Sequence, residues 1–238
     1  MSTGVQSIIF SGGALVVSII TLALTQVQRA LDNRRIIRQQ LTEVLSRITD
    51  MQIESRKSPE AMEYLGPALT SQARLAAVLT DQLPPRLVNE IDYVSLASAS
   101  FDPIEARQYY EKAISVARTA YYRRLARRGY ASFLFESGDD EAGASQFNAA
   151  LDEVTQSGDE AHAMRSDLYR TWAWYEQQAG HAEKAGEKLR LAQDELDKIE
   201  NLALRRSYYD DQAGRSAGTG GLAEGSIDPQ PSGGPRVP

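Results

Sequence analysis

The chain has 238 residues, 42% hydrophobic and 24% charged, a composition suited to one folded domain with short appendages. It contains no cysteine, which excludes disulfides, thiolate metal sites and cysteine nucleophiles together. A net charge of −6 argues against a general nucleic-acid binder.

Residues 1–28 carry no charge, and Ile8 to Leu24 form an apolar run softened only by Ser, Gly and Thr. Extended by Val5 and Val27, the run reaches the roughly 20 residues that a helix needs to cross a bilayer. The opening MSTGVQS holds no Lys or Arg, so it does not read as a secretory signal. Arg29, Arg34, Arg35 and Arg38 follow, opposed by Asp32. The positive-inside rule then predicts a single-pass membrane protein, N-terminus outside and the repeat domain cytoplasmic. A solvated basic face accounts for the same arginines.

Residues 29–58 read as a juxtamembrane amphipathic helix. Ile37, Leu41, Val44, Ile48 and Met51 recur at heptad spacing, over about two heptads. That stripe suits a helix packing on its own domain or the coiled-coil seam of a homodimer. Ser58-Pro59 and Gly66-Pro67 predict breaks, and residues 59–86 read as a capping helical region, with its helix at about 67–83.

Strand patterns are nearly absent from residues 60 to 205, so the fold class is all-α. Helical segments alternate with short breaks at Leu83-Pro84-Pro85, Asp102-Pro103, Gly138-Asp139, Gly158-Asp159 and Gly180. Asp102-Pro103 supplies an N-cap followed by proline in the first turn. One phrase then returns three times: FDPIEARQYYEKAISVA, GDDEAGASQFNAALDEV and GHAEKAGEKLRLAQDEL. Alignment puts Ala106, Gly143 and Ala185 in one column, Tyr110, Phe147 and Leu189 in the next, and Ala113, Ala150 and Ala192 in a third. Small, large, small at helical spacing admits a neighbouring helix closely and lets the bulky side chain act as a knob. The periods are 37 and 42 residues, the range of helical-hairpin repeats.

On these residues the chain resembles the tetratricopeptide repeat family. The second-helix motif is carried by Ala106/Tyr110 and, in weaker form, by Gly143/Phe147 and Ala185/Leu189. The first helices are degenerate, with Tyr93-Val94, Tyr130-Ala131 and Trp172-Ala173 where the family has a Leu-Gly pair. The resemblance implies three repeats over residues 87–205, stacked as a right-handed array of antiparallel α-α hairpins. It also implies a concave groove that binds a protein or peptide. The second repeat would line it with Leu125, Arg128, Ser132, Phe135 and Glu136, and the third with Asp167, Arg170, Trp174, Gln177 and Gln178. The first would offer Val88, Ile91, Ser95 and Ser98. Arg128 and Arg170 would favour an acidic peptide or a C-terminal carboxylate. Trp172 and Trp174 lie about 200° apart around a helix, so they cannot share a face. Trp172, in phase with Leu168 and Tyr175, is the core residue, and Trp174 looks into the groove.

Nothing in the sequence announces chemistry. His162 and His181 have no carboxylate at ligand spacing, and no hydrolase, zincin or kinase motif occurs. Neither enzymatic activity nor a cofactor is expected. The stretch RTAYYRRLARRGY, Arg118 to Tyr130, interleaves arginines with tyrosines as RNA or nucleotide binders do, but it also reads as an exposed helix face beside a buried one. Residues 206–238 read as a disordered tail, dominated by Gly, Pro and Ser from Ala213 onward. The sequence thus predicts a membrane-anchored cytoplasmic scaffold that binds a partner through its groove. A structural protein dimerising through the juxtamembrane helix is the alternative.

Overall fold

The computed structural model describes the backbone of residues 3–55 and 57–208, and the side chains of these from residue 22 on, those of Ala23 and Pro59 excepted. Among the described residues its elements are eight α-helices, α1 Thr3–Ser55, α2 Pro59–Asp81, α3 Glu90–Ala99, α4 Pro103–Val116, α5 Ala120–Glu136, α6 Asp140–Asp152, α7 Asp159–Gln178 and α8 Ala182–Asp197, with a 3-10 turn at Pro85–Leu87. A further helical stretch covers 202–208. The fold is all-α, and its helices pack as hairpins: α1 with α2, α3 with α4, α5 with α6, and α7 with α8. The chain divides into two compact units, Met1–Val154 and Thr155–Pro238.

Among the described residues no helix is long and apolar enough to cross a membrane. This overturns the single-span anchor over residues 1–28, the membrane as a partner, and the topology with the repeats in the cytoplasm. Where its side chains are described, α1 opens on the exposed Leu22 and Leu24 and turns polar within a turn, with Thr25, Gln26, Gln28 and Arg29 around Val27. That is far short of the roughly 20 apolar residues a span requires. Most of the expected span, up to residue 21, falls outside the residues whose side chains are described. The helix continues unbroken past Arg29 to Ser55.

The heptad stripe is used within the chain. Ile37, Leu41, Val44 and Ile48 are buried in a cluster with Leu69, Ala76 and Leu79 of α2 and Tyr93 and Leu96 of α3, and Met51 packs against it. This stripe is therefore no free coiled-coil seam. Arg38, read from sequence as a topology-setting cation, donates from its guanidinium to Asp92 Oδ2 at 2.6 Å and ties α1 to α3. Asp92 also accepts the backbone N–H of Asn89, while its own N–H donates to Asn89 Oδ1, closing a capping box at the start of α3.

Gly66-Pro67 does not break the chain. Capped by the Ser58 hydroxyl, which accepts the N–H of Ala61, α2 starts at Pro59 and runs through Pro67. Pro67 costs one helical hydrogen bond, at the carbonyl of Glu63, and both residues are exposed, so water can take that carbonyl. Asp102 caps α4 by accepting the N–H of Ile104 at 2.8 Å, with Pro103 in the first turn.

The hairpins owe their tight turns to two glycines. Gly138 and Gly180 adopt φ of 79° and 82°, a region open to glycine at little cost. Asp139 N–H then reaches Leu134 O and Gly138 N–H reaches Phe135 O, while His181 and Gly180 bond back to Glu176 and Gln177. Both are Schellman endings that satisfy the last carbonyls of α5 and α7.

Small residues set the helix spacing. Ala106, Ala113, Ala150, Ala185 and Ala192 are buried, as is Gly143. A Cβ on Gly143 would stand 2.5 Å from the Phe135 ring, so α6 lies on α5 at a distance that only glycine permits. Tyr110 stacks on Tyr130 at 5.4 Å between ring centroids, carrying α4 onto α5, and Phe147 packs on Phe135 at 6.0 Å. Leu189 departs from this column and stands 55% exposed. The stretch 202–208 packs instead through Leu204 and Tyr208 on Leu196 and Ile199. Asp159, opening α7, accepts the N–H groups of Glu200 and Asn201 and so clamps the approach to that stretch. The tail expected from residue 206 is helical to 208, and from 209 on it lies outside the described residues.

Candidate functional site

The residues assigned to a groove divide between the two units. In the first unit, α5 carries Arg128, half-buried, and Ser132, whose hydroxyl donates to the carbonyl of Arg128 one turn back. Phe135 is buried at 7% exposure between Phe147 and Gly143 and belongs to the core. Only Leu125 and Glu136, at opposite ends of the assigned set, are exposed. On α3, Val88 precedes the helix and is buried, and the carbonyl of Ser98 accepts the side-chain amide of Gln52.

In the second unit the assigned residues form a more open face. On α7, Asp167 and Arg170 are half-buried, while Trp174, Gln177 and Gln178 are exposed. Trp174 is 54% exposed and meets the edge of Tyr175 in a T-shaped contact at 4.7 Å. Arg170 lies four residues before Trp174, and Gln177 and Gln178 lie three and four after it, so one side of α7 presents them together.

Trp172 turns the other way. It is 4% exposed, its indole N–H donates to Glu176 Oε1 at 2.8 Å, and the Lys188 ammonium sits over its ring at 4.2 Å. Glu176 is itself buried, and its other oxygen bonds His181 Nδ1 at 2.8 Å. A chain of contacts therefore runs from the core indole through a buried carboxylate to the hairpin turn. Across the same hairpin His162 Nδ1 bonds Glu195 Oε2 at 2.7 Å. Burial resists ionisation of Glu195, but hydrogen bonds from His162 and Lys198 prevail and hold its carboxyl below the ordinary range.

Both histidines thus face glutamates, which sequence reading missed. Glu176 and His181 carried a local signal, since a Schellman turn brings together the two residues that flank it five apart. The His162–Glu195 pair depends on the register of α7 against α8 and has no local signature. Among the described residues no group of three or more His, Cys, Asp or Glu could hold a metal ion.

The basic stretch is largely engaged. Arg123 and Arg127 both reach Glu153, at 3.0 and 3.6 Å, Arg127 also donates to Gln146, and Arg124 lies over the ring of Tyr121. Arginines paired with a carboxylate on the neighbouring helix are poorly placed to collect phosphates. Compared with known proteins, the chain matches no family model, no curated protein and no solved structure, so what stands of the tetratricopeptide resemblance is the packing of helix pairs.

Proposed function

We propose that this helical-hairpin protein binds a protein or peptide partner through the outward face of α7, and that its role is binding and not catalysis. The observation that carries the reading is the half-exposed indole of Trp174, one turn from Arg170 and two residues from the buried Trp172. A tryptophan left in water on a helix whose other indole is core is a ready anchor, and Trp and Arg dominate binding hot spots. Arg170 directs the face toward a carboxylate, which a guanidinium holds through two parallel hydrogen bonds. Gln177 and Gln178 offer amide donors and acceptors at its edge.

The test is selection of acidic peptides from a displayed library on the full chain, followed by titration of variants. Trp174→Ala and Arg170→Ala should each weaken the selected peptides by about 2 kcal/mol, roughly thirty-fold, with unchanged melting. Peptides that bind both variants as tightly as the parent would remove α7 as the binding face.

A further inference from the structure

The first unit holds an open-sided groove that the reading above does not use. Between α2 and α4, over the end of α3, a cavity of about 480 Å³ is floored by Ala73, Ala77 and Leu96 and walled by Val78 and Tyr109. A second, of about 230 Å³, adjoins it and reaches Met62 and Gln52. The two share Ser100 and Phe101. Phe101, on the turn between α3 and α4, is 56% exposed, and Val78 and Met62 are 53% and 45% exposed. Large apolar side chains lining two connected hollows form the kind of patch that marks an interaction surface.

The charge around these hollows selects the occupant. Asp102, the N-cap of α4, and Glu105, in its first turn, line the larger cavity with Arg74. Asp81 closes α2 nearby: burial first, then the charges of Glu105 and Asp81, hold the Tyr109 hydroxyl above its ordinary pKa. Farther along α2, Glu60 and Glu63 line another hollow with the exposed Tyr64. In the lining of the larger cavity two acids, Asp102 and Glu105, stand against one arginine, and the Lys112 ammonium lies 5.6 Å from the Tyr109 ring centroid. The polar groups at the floor are already engaged, since Thr70 donates to Gly66 O and Ser100 to Glu105. A small polar ligand would find few unpaired partners there, whereas a peptide needs only the apolar hollows and the acidic rim.

We infer that this groove is a second binding site, for a peptide segment carrying two large apolar side chains flanked by Lys or Arg. The apolar pair would fill the hollows on either side of Phe101, and the flanking cations would meet Glu105, Asp102 and Asp81. Complementary charge of this kind sets partner choice and association rate.

The probes are two fluorescein-labelled peptides of about twelve residues, each with two phenylalanines four apart, one flanked by lysines and the other by glutamates. In anisotropy titrations with the full chain carrying Trp174→Ala, so that the α7 face does not capture the glutamate peptide, the lysine peptide should saturate and bind about ten-fold or more tightly than the glutamate peptide. Glu105→Lys should shrink that preference to about three-fold or less, and Phe101→Ala should weaken the lysine peptide about five-fold or more, both with parental helix content. Restoring Trp174 should leave the binding of the lysine peptide unchanged, which keeps it separate from the α7 face. Equal binding of the two peptides, or parental affinity in Glu105→Lys and Phe101→Ala, would overturn the assignment. So would a dimer seen in sedimentation that Phe101→Ala dissolves and the lysine peptide does not, since the groove would then belong to a second copy of the chain.

Discussion

Truncating Trp172 to alanine should destabilise the second unit by about 3–5 kcal/mol, the cost of removing a core aromatic. Against the roughly 5–15 kcal/mol that holds a typical domain, that is a large share. Two losses combine: the cavity left by the indole, and the hydrogen bond to Glu176, a carboxylate only 2% exposed. Lys188, now stacked over the ring, would lose its cation–π contact as well. Trp172→Phe separates these effects, since it keeps most of the volume and forfeits the N–H, and it should cost about 1–2 kcal/mol. Trp174→Ala should move stability by less than about 0.5 kcal/mol, as changes at exposed positions usually do. Urea melts followed by circular dichroism give all three values. A Trp174→Ala protein that unfolds beside a stable Trp172→Ala protein would reverse the register of α7.

Replacing Arg38 by alanine should cost about 1–3 kcal/mol. Its partner Asp92 has a side chain only 7% exposed and would keep a single hydrogen bond, from the backbone of Asn89. The figure stays below the usual penalty for a fully buried pair because the Arg38 side chain is 31% exposed and water reaches it. An arginine that served only as surface charge would change stability by about 0.5 kcal/mol or less on replacement. Arg38→Ala, Asp92→Asn and the double variant, measured as a thermodynamic cycle, should show coupling between the two positions. Additive effects would mean that α1 is not fastened to α3 through this pair.

What the sequence made legible was local chemistry. The Asp102-Pro103 start of α4, the glycine endings after α5 and α7, and the small–large–small columns each act within a few residues of themselves. The rest depended on partners far along the chain. Arg38 looked like a membrane-flanking cation because Asp92 is 54 residues away. The apolar run before it counted as a span by hydropathy, but α1 turns polar at Thr25, and among the described residues no helix is long and apolar enough to cross a membrane. Phe135 was placed in a groove by repeat register, yet the missing side chain at Gly143 opens a slot that draws its ring inward. Gly66-Pro67 looked like a break because the pattern omits solvent, which can satisfy the carbonyl that Pro67 releases. Leu189 followed the repeat register as a knob, but the stretch 202–208 packs elsewhere on α8 and leaves it exposed.

The α7 site was legible in part for a simple reason. The chain has two tryptophans, and two positions on a helix separate inside from outside. That same economy provides the most direct test of the claim that α7 buries Trp172 and offers Trp174 to a partner. Single-tryptophan proteins made by Trp174→Phe and Trp172→Phe report each indole alone by fluorescence. The protein retaining Trp172 should emit at shorter wavelength and resist iodide quenching. The protein retaining Trp174 should emit near the wavelength of water-exposed indole, quench readily, and shift blue when a selected acidic peptide is added. Equal quenching of the two indoles, or a Trp174 emission that the peptide leaves unmoved, would contradict the account.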